Sequence, residues 1–151
     1  MPRNIKSGLI QMSLPMTEGE GTITEIMDAM VQKHIPMIED AGKQGVQILC
    51  LQEIFSTPYF CPGQDNAWYA SAETIPGPTT EQMQEYAKKY NMVIIVPIYE
   101  KEQAGVLYNT AAVIDADGTF LGKYRKNHIP PYVWILGKIF FQTWQFGLPC
   151  F

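Results

Sequence analysis

The sequence Val-Gln-Ile-Leu-Cys-Leu at residues 46–51 predicts a strand in the interior of a sheet, because an unbroken apolar run of this length is typical of buried strands. Gly45 precedes the run and can end a helix. Glu53 follows it closely, within Leu-Gln-Glu-Ile-Phe at residues 51–55. A helix that leads into a buried strand is the unit from which α/β folds are built, so this stretch favours that fold class.

A helix is predicted before this strand, and a short strand at residues 5–12 before the helix. Thr22 or Thr24 can cap the helix, and its apolar residues recur at helical spacing as far as Ala41. Pro36 lies inside the pattern. We expect a kink there, because the proline nitrogen has no proton to donate to the carbonyl four residues earlier.

The second half of the chain predicts a long loop, a helix and further strands. The loop covers residues 54–78, which are rich in proline, glycine and aromatic residues, and loops of this length are usually functional. Thr79 and Gln82 form a capping box for a helix that extends to about Tyr90. Asp117-Gly118 predicts a tight turn between the last two strands. Strands are predicted at residues 92–98, 110–114 and 119–126, which gives an α/β (α+β) pattern.

Composition restricts the class of protein. The 151 residues, of which 46% are hydrophobic, correspond to one globular domain. A net charge of −4 argues against nucleic acid or an anionic membrane as the main partner, and no segment before residue 131 is apolar for long enough to span a bilayer. The cysteines and histidines lack metal-ligand spacing, so neither a metal nor another cofactor is expected. A reduced, cytoplasmic setting fits this composition.

Glu53 is the first candidate catalytic residue. Groups at the carboxyl ends of strands in open α/β sheets face the crevice where ligands bind, and the aromatic residues Tyr59 and Phe60 follow in the loop. A partly desolvated carboxylate in that position can act as a general base. Taken alone, a solvated glutamate at a strand end is the more common case, and Glu100 follows the strand at 92–98 in much the same way.

Lys126 is the second candidate. Because side chains alternate along a strand, Tyr124 and Lys126 share one face of the last strand, and Lys123 and Arg125 share the other. A lysine on an inward face can stabilise a developing oxyanion, but a solvated basic hairpin end explains the same residues equally well. His128 has no His or Cys companion, so we expect a hydrogen-bonding group rather than a metal ligand.

The cysteines offer no clear nucleophile. Cys50 lies within the apolar strand and is expected to be an inert core thiol. Cys61 could be exposed in the loop, but no histidine or lysine stands near it in the sequence to activate it.

These segments together resemble the nitrilase superfamily of carbon–nitrogen hydrolases. Leu-Gln-Glu-Ile-Phe at 51–55 is similar to the strand that carries the family's catalytic glutamate, and Tyr-Arg-Lys-Asn-His-Ile-Pro at 124–130 to the strand that carries its lysine. Gly-Leu-Ile-Gln at 8–11 and Gly77-Pro78-Thr79 also agree. The resemblance implies an αββα sandwich, of which residues 1–130 are the N-terminal portion of a single hydrolase domain, and subunits that form a homo-oligomer.

Within the superfamily, Ser-Thr-Pro-Tyr-Phe-Cys at 56–61 and Arg-Lys-Asn-His-Ile-Pro at 125–130 look most like the β-ureidopropionase and N-carbamoylputrescine amidase groups. Enzymes of these groups hydrolyse N-carbamoyl compounds, for example N-carbamoyl-β-alanine to β-alanine, carbon dioxide and ammonia in pyrimidine catabolism. The resemblance therefore implies a small-molecule N-carbamoyl or amide substrate.

The same resemblance implies roles for individual residues. A thiol attacks the carbamoyl carbon, Glu53 is the general base and Lys126 stabilises the oxyanion. The substrate-pocket residues are expected to be Tyr59, Phe60 and His128. The family's nucleophilic cysteine lies on a later strand, whereas Cys150 follows Lys126 too soon and in a different local sequence, so we expect the nucleophile to be absent from this chain.

Residues 131–151 differ sharply from those before them, since they are rich in aromatic residues and carry a single charge, Lys138. Family members continue after His-Ile-Pro with a sequence close to Trp-Glu-Lys-Phe-Phe-Phe-Lys-Pro-Gly. Codons for that stretch, read one base out of frame, yield residues of this tail such as Gly137, Gln142 and Trp144. We therefore expect an out-of-frame tail after Pro130. The chain is then either the front part of a truncated hydrolase, or an inactive fragment or non-catalytic subunit of one.

Overall fold

The computed structural model describes residues 4–63 and 65–129. The helices and strands of this part are β1 (Ser7–Leu9), α1 (Ile23–Lys43), β2 (Ile48–Cys50), α2 (Pro78–Tyr90), β3 (Val93–Gln103), β4 (Val106–Ile114) and β5 (Phe120–Arg125). Two short 3-10 helices, Cys61–Gly63 and Asn66–Ser71, lie in the loop between β2 and α2. The tail predicted at residues 131–151 lies outside the described residues.

The strands form one mixed five-stranded sheet in the order β1-β2-β3-β4-β5. β1, β2 and β3 are parallel, because α1 and α2 lie on the connections between them. β3, β4 and β5 are antiparallel and are joined by hairpins, with Gly105 (φ +76°) in the first turn and Gly118 (φ +90°) in the second. The α+β class expected from the sequence is confirmed.

Helix α1 begins and ends as its sequence predicts. Thr22 is its N-cap, and a capping box with Glu25 satisfies both backbone N–H groups, since the Glu25 carboxylate accepts from Thr22 N at 2.8 Å. The helix continues through Pro36 and ends before Gly45, which has φ +72°.

Helix α2 begins two residues earlier than predicted, since its N-cap is Gly77 rather than Thr79, and it is capped differently. Gly77 is the N-cap, and Pro78 occupies the first helical position, where its missing N–H costs nothing. Thr79 lies inside the helix, and both its N–H (2.9 Å) and its hydroxyl (2.5 Å) donate to the carboxylate of Glu73, which lies outside the helix. The predicted Thr79–Gln82 capping box is therefore wrong, because Glu73 and the hydroxyl of Thr80 take the cap's role.

Both helices pack on one face of the sheet. The main core lies there, where α1 and α2 contribute Val31, Ile38, Met83 and Ala87. The sheet contributes the alternate residues that register places on the same face, Leu49, Ile94, Val96, Ile98, Ala112 and Ile114. These sheet side chains are at most 1% exposed.

The opposite face of the sheet is apolar but largely open. Leu9 is 84% exposed and Ile48 37% exposed, and Cys50 beside them is only partly buried. The strand at 46–51 was expected to be buried, but in the described residues only the Leu49 face of β2 is covered. Among the described residues, cover on this face is found near the end of β3, where Tyr99 packs against Phe60 of the long loop with ring centroids 5.3 Å apart.

Candidate active site

A backbone bulge after β2 places Glu53. Leu51 N donates to Ile95 O at 3.1 Å, and Phe55 N donates to Pro97 O at 3.0 Å. Three residues on this side therefore stand opposite a single residue of β3, and the extra length bulges outward. The central turn requires φ +41° at Ile54, an unusual conformation for a β-branched residue that costs on the order of 1–3 kcal/mol.

The buried side chain of Ile54 holds the bulge in place. It is 1% exposed and packs in a second core cluster together with Phe60, Trp68 and Tyr99. Burying a side chain of this size stabilises the native state by roughly 1.5–3 kcal/mol, enough to offset the backbone strain. The position of Glu53 is thus fixed by the attachment of the bulge to β3 and by the buried cluster, to which the following loop contributes Phe60 and Trp68.

Glu53 and Lys126 lie on the same side of the sheet and contact each other. Lys126 Nζ donates to Glu53 Oε1 at 2.6 Å, and the two side chains are 37% and 47% exposed, respectively. They come from chain segments 73 residues apart, so tertiary structure alone brings them together. The two side chains therefore lie neither on opposite faces nor free in solvent.

A third residue, Asn109 on β4, completes this contact. Its Nδ2 donates to Glu53 Oε1 at 2.7 Å, and its main-chain oxygen accepts from Lys126 N at 2.8 Å. Asn109 was not among the residues predicted from the sequence. The available signal was an asparagine inside the apolar strand pattern Val-Leu-Tyr-Asn-Thr-Ala-Ala, because asparagine is depleted in strands.

The ionisation of Glu53 follows from these contacts. Partial burial by itself raises the pKa of the carboxyl group, but the hydrogen bonds from Lys126 and Asn109 outweigh that effect and hold its pKa below the ordinary value. Glu53 is therefore a carboxylate at neutral pH, the form that a general base requires.

Tyr59 and Cys61 lie next to this group. Burial, the Cys61 thiol and the charge of Glu53 all raise the pKa of Tyr59, whose side chain is partly exposed. Cys61 was considered as a possibly exposed thiol, but it is fully buried, and burial raises its pKa to about 11. A thiol in that state is almost entirely protonated at neutral pH and is a poor nucleophile.

The other candidate residues predicted from the sequence lie in different environments. Phe60 is fully buried and stacks on Trp68 at 5.2 Å, so it supports the loop from within the core. His128 is exposed. Cys50 is partly buried on the open face, and burial raises its pKa. Cys150 lies outside the described residues.

Glu100 occupies a different environment from Glu53, although both follow apolar runs. It lies inside β3 on the helix-covered face and is fully buried. Arg125 donates to both of its oxygens, with Nε 2.8 Å from Oε2, and Thr110 Oγ1 donates to Oε2 at 2.5 Å. Lys123 also pairs with it. As the alternation of side chains predicts, Lys123 and Arg125 share this face and Lys126 the other.

Comparisons with known proteins identify the family of this chain. The family model described as carbon–nitrogen hydrolase matches residues 9–144. The chain is 43% identical to a β-ureidopropionase of Arabidopsis thaliana over 133 residues, which is 85% of this chain and 32% of that protein. It is 39% identical to an N-carbamoylputrescine amidase of Solanum lycopersicum over 116 residues, which is 76% of this chain and 38% of that protein.

A similar solved structure is a carbon–nitrogen hydrolase from Helicobacter pylori, with a TM-score of 0.82 and 25% identity, covering 95% of this chain and 46% of that one. Nit3 of Saccharomyces cerevisiae, a member of the nitrilase superfamily, shares the fold with a TM-score of 0.62 over 79% of this chain and 44% of that one. The chain spans about a third to two fifths of the length of the curated relatives it matches. No helix among the described residues is long and apolar enough to cross a membrane.

Proposed function

The chain belongs to the carbon–nitrogen hydrolase family, and on that premise we propose that it forms the front part of an N-carbamoyl amide hydrolase and supplies two of its three catalytic groups. In this proposal Glu53 is the general base and Lys126 stabilises the oxyanion, while a cysteine outside this chain supplies the nucleophile. The observation that carries the proposal is the 2.6 Å contact between Lys126 Nζ and Glu53 Oε1.

The chemistry follows from what each group can do. The thiol gives its proton to Glu53 and attacks the carbamoyl carbon, and the ammonium group of Lys126 stabilises the negative charge that develops on the carbonyl oxygen. Ammonia leaves with a proton returned from Glu53, which then activates the water molecule that releases the enzyme-bound acyl group. The contact with Glu53 holds Lys126 beside the place where that negative charge develops.

We propose N-carbamoyl-β-alanine as the substrate, because the Arabidopsis thaliana relative named β-ureidopropionase is 43% identical over most of the chain. Of the three expected substrate-pocket residues, we propose Tyr59, because its side chain is partly exposed and the charge of Glu53 raises its pKa, whereas Phe60 is fully buried. A cytoplasmic homo-oligomer acting in pyrimidine catabolism completes this proposal.

A second candidate function is favoured by the open apolar face. A sheet covered on one side only is suited to association, so the 151-residue chain can instead be an inactive fragment or a non-catalytic partner of complete subunits. Ammonia release from N-carbamoyl-β-alanine by the purified chain separates the two possibilities. Turnover by this polypeptide alone excludes the second one.

The proposed out-of-frame tail leads to a genetic test. We expect sequencing at the codon for Pro130 to show one inserted base, and removal of that base to give a longer protein with cysteine-dependent hydrolysis. An unbroken reading frame through that codon contradicts this part of the proposal.

The roles of Glu53 and Lys126 are tested in the same longer protein. We expect Glu53→Gln and Lys126→Met each to lower kcat/KM by at least about 100-fold, the usual contribution of a general base or an oxyanion-stabilising group. Glu102→Gln and Lys123→Met are the matched controls, because they remove the same charges from the helix-covered side of the sheet. Full activity of the Glu53→Gln, Lys126→Met double variant excludes the assignment.

A further inference from the structure

Asn109 is a polar residue buried in the middle of a strand, where an apolar side chain is expected. It is only 7% exposed, in the middle of β4, and register pairs it with Tyr99 on the face that the helices leave open. Burying a primary amide is unfavourable unless its hydrogen bonds are made, so such a side chain is expected to have partners. Its partner here is the carboxylate of Glu53.

Asn109 connects Glu53 and Lys126 through two different parts of the residue. Its side-chain amide donates to Glu53, and its main-chain carbonyl accepts from the backbone of Lys126. The second contact extends the β4–β5 ladder by one step beyond Arg125. One buried residue on a central strand therefore fixes the position of both groups.

The two oxygens of Glu53 are not equivalent. Asn109 Nδ2 and Lys126 Nζ both donate to Oε1, at 2.7 and 2.6 Å. Within residues 4–63 and 65–129, Oε2 receives no hydrogen bond. A carboxylate held by one oxygen presents the lone pairs of the other in a fixed direction, and a proton acceptor needs that geometry.

We propose that Asn109 is a positioning residue that anchors Oε1 of Glu53, so that Oε2 is the oxygen that exchanges protons with the nucleophile and with water. This inference rests on the function proposed above. It also gives Asn109 a role that Lys126 cannot perform. When the ammonium group of Lys126 turns toward an oxyanion, its contact with Glu53 weakens, and the neutral amide still holds the carboxylate in place.

The first test is a proton NMR titration of the 151-residue chain, labelled with 15N and 13C, in which the exposed residues Leu9 and Ile48 of the open sheet face are changed to threonine to keep the chain monomeric. In this background, we expect the chemical shift of one side-chain amide proton of Asn109 to change with the same midpoint as that of the Glu53 carboxyl carbon. The response disappears in Glu53→Gln, and the side-chain amide of the exposed residue Asn66 serves as the control that does not follow it. If the chemical shifts of the Asn109 side-chain amide protons do not change as Glu53 ionises, the proposal is wrong.

The second test changes Asn109 itself. In Asn109→Leu, we expect the Glu53 midpoint to rise, because a donor to the charged form is lost. In Asn109→Asp, which keeps the shape of the side chain and is the safer variant for folding, we expect a larger rise because the neighbouring charge is repulsive. Thr110→Val is the matched control, since it removes a hydrogen bond of the same strand on the opposite face and leaves the Glu53 midpoint unchanged. An unchanged midpoint in Asn109→Asp refutes the inference.

The outcome of these titrations tests the positioning role of Asn109 separately from the proposed hydrolase function. If the Asn109 and Glu53 signals are coupled but the frame-restored protein has no hydrolase activity, the positioning contact stands and the proposed function fails. If hydrolysis depends on Glu53 but the titration midpoint of Glu53 is the same in the wild type and in the Asn109 variants, only the positioning role is refuted.

Discussion

His34 is a buried ionisable residue outside the candidate site. Its ring lies edge-on to Phe55 at 5.0 Å, and Nδ1 is 2.8 Å from the main-chain oxygen of Met30. Because a carbonyl can only accept, Nδ1 carries the proton of the neutral ring. Nε2 is buried and has no hydrogen-bond partner among the described residues. Protonation at Nε2 therefore places an unpaired charge in the core.

This arrangement predicts a pH-dependent stability. Burial lowers the pKa of His34 below its usual value of 6.5, and the charge of Lys33 lowers it further. Below about pH 6.5 the unfolded chain therefore binds more protons than the folded chain, so the free energy of unfolding falls as the pH decreases toward the lowered pKa. Urea unfolding between pH 5 and 7.5 measures this slope.

We expect His34→Leu to flatten that slope, and the matched control is His128→Leu, which replaces an exposed histidine. Equal slopes in the wild type and in His34→Leu over this range rule out the explanation.

The candidate site shows which of its residues could be predicted from local sequence and which could not. Glu53 and Lys126 were identified from their positions at strand ends and from the resemblance to a family. Asn109 was not, because its partner is 56 residues away. Nor could the sequence distinguish Glu53 from Glu100, since both follow apolar runs. The face each carboxylate occupies depends on strand register, and register is fixed only when the whole sheet forms.

At the scale of elements, the strands were recognised by their apolar residues, and β3 and β4 are longer than predicted. β3 was predicted to end at Ile98 but extends to Gln103, and β4 begins at Val106 rather than at residue 110. Charged residues usually signal the end of a strand, but here Glu100 pairs with Arg125 and Lys123 across the sheet. The long-range ion pairs that extend the hairpin leave no periodic signal in the sequence.

This ionic cluster predicts the effect of removing one partner. Arg125 donates to both oxygens of the fully buried Glu100, so Arg125→Met leaves a buried carboxylate that only Lys123 and Thr110 compensate. We expect the free energy of unfolding to fall by roughly 3 kcal/mol, near the lower end of the range for broken buried ion pairs.

Guanidinium or urea unfolding measures this loss. The double variant Glu100→Leu, Arg125→Met is the control, and it should lose less stability than Arg125→Met because no charge remains unpaired between those two positions. A double variant that is less stable than the single one contradicts this account.

At the scale of the whole molecule, the helices cover one face of the sheet, and the apolar opposite face is largely open within residues 4–63 and 65–129. Leu9 and Ile48 are exposed there, and the chain spans about a third of its Arabidopsis thaliana relative. Exposed apolar surface of this kind favours association. We therefore expect the 151-residue chain to bind a hydrophobic dye such as ANS and to self-associate at micromolar concentration.

The substitution pair Leu9→Thr, Ile48→Thr should reduce dye fluorescence and the associated fraction in sedimentation velocity experiments. Leu14→Thr is the matched control, because Leu14 is also exposed (44%) but lies outside any strand. A monomeric wild-type chain that does not bind the dye shows that this face is not an association surface.

The bulge between Leu51 and Phe55 has a consequence for how such a protein can evolve. Its two ends are attached to β3, and Ile54 between them packs against Phe60 and Trp68, so the sheet and this buried cluster together set the position of Glu53. Insertions, deletions and substitutions in the loop that leave this cluster intact can therefore accumulate in a lineage without displacing Glu53. The surroundings of this carboxylate can diverge while its place in the fold is inherited unchanged.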